Sequence, residues 1–140
     1  MTRKLVEEWI YKAEEDFESA VYLVKKDKKP VPDPVCFHCQ QCIEKYLKAF
    51  LVLNNIEPPE IHDLQRLRAI CSNIDESFEE ISGELDILNA YAVNFRYPGE
   101  VATVEEANEA FLVMKKVYKF IRDRLKLEEK MNLDNLPKDL

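Results

Sequence analysis

Glycine is almost missing from this 140-residue chain: only Gly83 and Gly99 occur. Many-stranded folds need glycine for tight hairpin turns, so helices are favoured from the outset. Histidine is equally scarce, with His38 and His62 alone, and there is neither a Gly-rich phosphate loop nor a His-Glu-x-x-His pair. No apolar run approaches the roughly 20 residues that span a bilayer, and Met-Thr-Arg-Lys leads straight into charged amphipathic sequence without a signal-peptide core. The expectation is a cytoplasmic protein with no membrane segment. Positive charge is in deficit: 20 lysines and arginines face 27 aspartates and glutamates, a net charge of −7. Such a field repels phosphate backbones on average, so a polyanion site has to be a local basic patch.

What is present points to one helical domain. An apolar share of 46% with 34% charged residues suits a globular protein, and the length suits a single core. The prolines gather at 30–34, 58–59, 98 and 137, between periodic segments rather than inside them. Val6, Ile10, Ala13, Phe17, Ala20 and Val24 form the apolar stripe of a helix over about 3–27. Asp33 as N-cap before Pro34 predicts a second helix reaching Asn54. Leu64, Leu67, Ile70 and Cys71 predict a short third one. Phe78, Ile81, Leu85, Leu88, Ala92 and Phe95 predict a fourth, stopped near Pro98. Thr103 and Glu106 have the spacing of a capping box ahead of a fifth stripe: Ala107, Phe111, Met114, Tyr118, Ile121 and Leu125. Together they predict an all-α, antiparallel up-down four-helix bundle with an additional short helix over residues 1–127, and a frayed tail over 128–140.

The second helix holds the unusual chemistry. At 100° per residue from Cys36, Gln40 and Glu44 fall near about 40° and 80°, interrupting an otherwise apolar face. They predict bonds to a neighbour such as Trp9, a tyrosine or a loop backbone, or else a polar cleft or dimer seam. Lys48, Gln41, Lys45 and His38 occupy roughly 120–200°, a strip that suits a phosphate and equally suits a solvated helix face. Apolar or semi-polar residues around much of this helix favour a homodimer. Cys36, Cys39 and Cys42 drift through about 120° on the wheel, too dispersed for one tetrahedral ion. The expectation is reduced core cysteines, Cys71 among them, with no metal and no cofactor.

The run Phe37-His38-Cys39-Gln40-Gln41-Cys42-Ile43-Glu44-Lys45-Tyr46-Leu47-Lys48-Ala49 resembles the Phe-His-Ala-Gln-Gln-Ala-x-Glu-Lys-x-Leu-Lys-Ala stretch of the HEPN family. His62-Asp63-Leu64, Arg96-Tyr97-Pro98 and the first segment with Trp9, Ala13 and Asp16 are similar to further family marks, so the resemblance covers about residues 5–125. It implies a dimerising helical bundle, nucleotide- or RNA-associated, encoded beside a minimal nucleotidyltransferase in a toxin–antitoxin-like pair. It also implies, for many relatives, metal-independent RNase activity by an arginine followed after four to six residues by histidine. Here the corresponding positions after Arg96 are Val101, Ala102 and Thr103. Without that imidazole the group that exchanges a proton near neutral pH is missing. The resulting expectation is a ligand site of Arg96, Tyr97, His38, Gln41 and Lys45 that binds a phosphate-bearing ligand without efficient RNA cleavage; an RNase with a non-standard site is the alternative.

Overall fold

The computed structural model describes the backbone of residues 2–94 and 98–127, and side chains over 3–91 and 98–127. Each apolar stripe becomes a helix: α1 (Thr2–Val24), α2 (Pro32–Leu53), α3 (Leu64–Ile74), α4 (Ser82–Asn94) and α5 (Val104–Arg124), with a 3-10 segment at Glu76–Ile81. Among the described residues there is no strand. Polar pairs fix the directions. Asp16 reaches His38 and Lys45 while Trp9, earlier on α1, meets Lys48, so α1 and α2 run antiparallel. Glu84 and Tyr91 on α4 meet Lys116 and Glu109 on α5 in the same reversed order. Asp33 binds Ala102 and Tyr46 binds Arg122, which makes α2 and α5 parallel and completes an up-down bundle. None of the helices in this set is long and apolar enough to cross a membrane.

Local chemistry explains the element ends. The Thr103–Glu106 capping box forms in both directions, at 3.0 and 2.8 Å. Asp63 caps α3 by accepting from the Gln65 amide at 2.9 Å. Asp33 does not cap α2 as its sequence position suggests. The helix starts two residues earlier, at Pro32, whose missing N–H costs nothing there, and the Asp33 carboxylate accepts from the Ala102 amide at 2.8 Å instead. The fourth stripe also begins differently. Phe78 and Ile81 lie on the 3-10 segment, where residues three apart eclipse, so both still face inward. Phe95, at the end of that stripe, and the 128–140 tail lie outside the described residues.

α2 is central, packing on α1, α3, α4 and α5, and 14 of its 22 residues are buried. Most of its apolar surface is therefore covered within one chain, while Phe37 stays 45% exposed. Aromatic rings fill the space between α2 and its neighbours: Phe17 stacks on Tyr118 at 4.0 Å, and Phe50, Phe78 and Phe120 follow one another at 4.5 and 5.3 Å.

All four cysteines are buried and unpaired with one another. Burial pushes the Cys36 and Cys71 thiols up to about 12 and those of Cys39 and Cys42 higher. At pH 8 a thiol at about 12 carries roughly 10³-fold less thiolate than an ordinary one near 8.5. Native protein should accordingly react with an aromatic disulfide reagent about 10³-fold more slowly than denatured protein. Fast labelling of any cysteine in the folded chain would contradict this placement.

Candidate functional site

The polar strip of α2 carries two hydrogen-bonded clusters, one against α1 and the other against the segment before α3. On the α1 side the Asp16 carboxylate receives His38 Nδ1 at 2.8 Å and Lys45 Nζ at 2.6 Å. Its side chain is only 10% exposed, while that of His38 is 27% exposed. On the other side Glu44 receives Lys48 Nζ at 3.0 Å and His62 Nδ1 at 3.0 Å. Gln41 belongs to the Glu44 cluster: its amide donates to Gln40 Oε1 at 2.8 Å and reaches Glu44 at 3.4 Å. Gln40 donates to the His62 carbonyl at 2.8 Å, one of the loop-backbone bonds its place on the helix called for.

The strip is not a solvated face. Lys48 and Glu44 are both buried, and the Lys48 ammonium lies 5.6 Å from the Trp9 ring centre. The segment carrying His62 is held independently: Asn89 on α4 accepts from the Leu64 amide at 3.1 Å and donates to Asp63 at 3.0 Å. Both histidines thus meet a carboxylate through Nδ1. An ionised carboxylate only accepts, so Nδ1 carries the proton and Nε2 becomes the ring position with a lone pair. The charge is compensated as well, because Asp16 offsets Lys45 and Glu44 offsets Lys48.

A second polar group lies on the opposite flank of α1. Glu14, 3% exposed, accepts from Tyr46 on α2 and from Tyr118 at 2.9 Å and Arg122 at 2.7 Å on α5. Burial raises the Glu14 carboxyl above its usual range against the opposing hydrogen bonds and the Arg122 charge. The Tyr46 and Tyr118 hydroxyls are pushed up by burial and by the Glu14 charge. This knot ties α1, α2 and α5 together through buried side chains.

The structure therefore brings His38 and Lys45 together on Asp16 and sets Gln41 in the Glu44 cluster of the same helix. Arg96 and Tyr97 lie outside the described residues. Ala102, which follows Arg96 by six residues, is anchored to Asp33 at the N-terminal end of α2, five residues before His38. Sequence reading noted Asp16 only as a family-like position and missed both its bonds to the strip and the Glu14 group: both residues belong to an acidic helix, and nothing in the periodicity of α1 alone distinguishes them from its solvated glutamates.

Three findings connect this architecture to known proteins. The family model described as "HEPN domain" matches residues 6–125. A protein of Methanocaldococcus jannaschii named "Putative toxin MJ1304" is 33% identical, over 84% of this chain and 86% of that one. The crystal structure of ST0689, described as an archaeal HEPN homologue, superposes with a TM-score of 0.68, covering 86% of this chain and 97% of that one at 23% identity, which speaks to the fold.

Proposed function

The chain belongs to the HEPN domain family, and from that premise we propose that it is the toxin-like member of a two-component toxin–antitoxin-like pair, a cytoplasmic homodimer partnered by a minimal nucleotidyltransferase. Its likeness to a protein named as a toxin supports the first part of this reading. The pairing and the dimer rest on the family resemblance.

We assign to it a site for a phosphate-bearing ligand, nucleotide or RNA, built from Arg96, Tyr97, His38, Gln41 and Lys45. The observation that carries this reading is the α2 strip, where a buried Asp16 holds His38 and Lys45 in fixed positions. Because Asp16 cancels one of those charges, Arg96 supplies most of the attraction for the anion, and binding is weak and salt-sensitive. Replacing Arg96 by alanine should weaken binding of a fluorescent nucleotide or short RNA about tenfold, about 1.4 kcal/mol, with an unchanged helical signal and thermal transition. Unchanged affinity would remove Arg96 from the site.

One observation favours a second reading, metal-independent RNA cleavage. In that reading His38, its Nδ1 donated to Asp16, takes a proton at Nε2 from a ribose 2′-hydroxyl, whose oxygen attacks the adjoining phosphorus as the bond to the 5′ oxygen breaks and that oxygen leaves with a proton from solvent. Incubation with RNA in excess chelator separates the readings. The binding reading expects intact RNA; cleavage abolished by His38→Ala and by Arg96→Ala would replace it with the RNase.

A further inference from the structure

A groove of about 660 Å³ opens between the 3-10 segment and α5, on a face that shares no residue with the α2 strip. Its floor is apolar: Ile81 is buried, Phe120 is half-buried, and Leu112 stands 65% exposed at one end. Its rim is cationic. Lys115, Lys116, Lys119 and Arg124 line it against Glu80 and Asp123, in a chain whose net charge is −7. Basic residues in the last turns of α5 complement the helix dipole, which accounts for Arg122 and Arg124. It does not account for three lysines one to two turns earlier around an exposed leucine.

The rim is only partly neutralised from within. Lys116 reaches Glu84 at 2.7 Å but keeps a side chain 70% exposed, and Lys115 lies 5.5 Å from the Phe111 ring centre. Lys119 is exposed and has no ion-pair partner among the described residues. We propose that this groove docks an acidic segment of a partner protein, one whose short apolar run covers Leu112 and the Ile81–Phe120 floor while its carboxylates meet the lysines. The proposal draws on the reading above only in supposing that a protein partner exists.

The geometry favours a polypeptide over RNA. The Arg124 guanidinium lies 3.9 Å from the centre of the Phe120 ring, where a stacking base would have to displace it. Glu80 and Asp123 within the lining accept from peptide or side-chain N–H groups, which a phosphate backbone lacks. Leu112, the most exposed apolar element, has a use only for an apolar counterpart, the helix-in-groove pattern with charge complementarity at the rim.

The test uses the whole chain and a labelled synthetic peptide of about fifteen residues, with leucines at helical i, i+3, i+4 and i+7 spacing flanked by glutamates. Fluorescence anisotropy should report saturable binding that weakens at high salt, and the same peptide with lysines for glutamates should not bind. Lys119→Glu and Leu112→Glu, both at exposed positions, should each reduce affinity at least tenfold while circular dichroism shows a folded bundle. Amide shifts in NMR should cluster around Ile81, Leu112 and Lys119 and spare His38, Gln41 and His62. Arg96→Ala should leave peptide binding unchanged, so failure here and failure of the phosphate site are read separately. No binding at hundreds of micromolar, binding indifferent to Lys119→Glu, or displacement of the peptide by a single-stranded RNA oligomer with the same residue dependence would each overturn the proposal.

Discussion

Glu14→Ala should destabilise the folded chain by about 3–5 kcal/mol, the cost of removing one partner from a buried charge pair. The carboxylate is the acceptor shared by the Tyr46 and Tyr118 hydroxyls and the counter-charge to Arg122, and all of these groups lie at the junction of α1, α2 and α5. Alanine takes away the acceptor and leaves polar atoms in a space water cannot easily fill. Chemical denaturation measures the loss as a fall in midpoint at constant slope. A cost below about 1 kcal/mol would show that the knot relaxes into solvent. Glu14→Gln gives the pH signature. The folded carboxyl is raised, so Glu14 favours the fold most when protonated, below its unfolded value near 4.5, and that contribution is lost as pH rises through the higher folded value. Glutamine does not titrate. Its stability relative to the natural chain should therefore improve as pH goes from about 4 to 7, and a constant or opposite difference would contradict the burial term.

The second large effect separates two kinds of buried charge on one helix. Glu44→Leu should cost about 3–5 kcal/mol, because Lys48, its side chain 8% exposed, is left with no carboxylate at 3.0 Å. Adding Lys48→Met should recover most of it. In the double variant Gln40 keeps the His62 carbonyl, Gln41 keeps Gln40, and His62, with a side chain 74% exposed, turns to water. Two apolar side chains then replace an ion pair in nearly the same volume, an exchange that is often neutral or favourable. A thermal melt on the four members of the cycle measures the coupling, and it should be at least about 2 kcal/mol. A double variant as unstable as Glu44→Leu alone would mean that Glu44 acts through His62 and the glutamines rather than through Lys48.

The helices were legible in the sequence because each one carries an apolar stripe that has to be covered. Val6, Ile10, Ala13, Phe17 and Ala20 are all buried, and the Thr103–Glu106 spacing became the capping box it suggested. The start of α2 was not legible, since whether Asp33 caps its own helix or binds Ala102, far along the chain, depends on where α5 begins. The α2 half of the site was readable as a row of polar residues, but its meaning was not. Asp16 and Glu14 each stand about 80° from the middle of the α1 stripe, on opposite sides, at the border where a side chain faces either solvent or the next helix. Only the positions of α2 and α5 decide that both turn inward, one to His38 and Lys45 and the other to Tyr46, Tyr118 and Arg122. A wheel drawn for one helix contains its own periodicity and nothing of its neighbours' chemistry.

The central place of α2 bears on how the bundle comes apart. α1, α3, α4 and α5 each lean on it, and both polar knots include one of its side chains. A solenoid loses its end units singly, because each touches only its neighbours; here α2 works as a hub, and stripping any one long spoke from it exposes a flank of the hub to water along with a desolvated carboxylate. The outer helices therefore draw their stability from a common source, and the chain has little scope for shedding one of them as an independent flap.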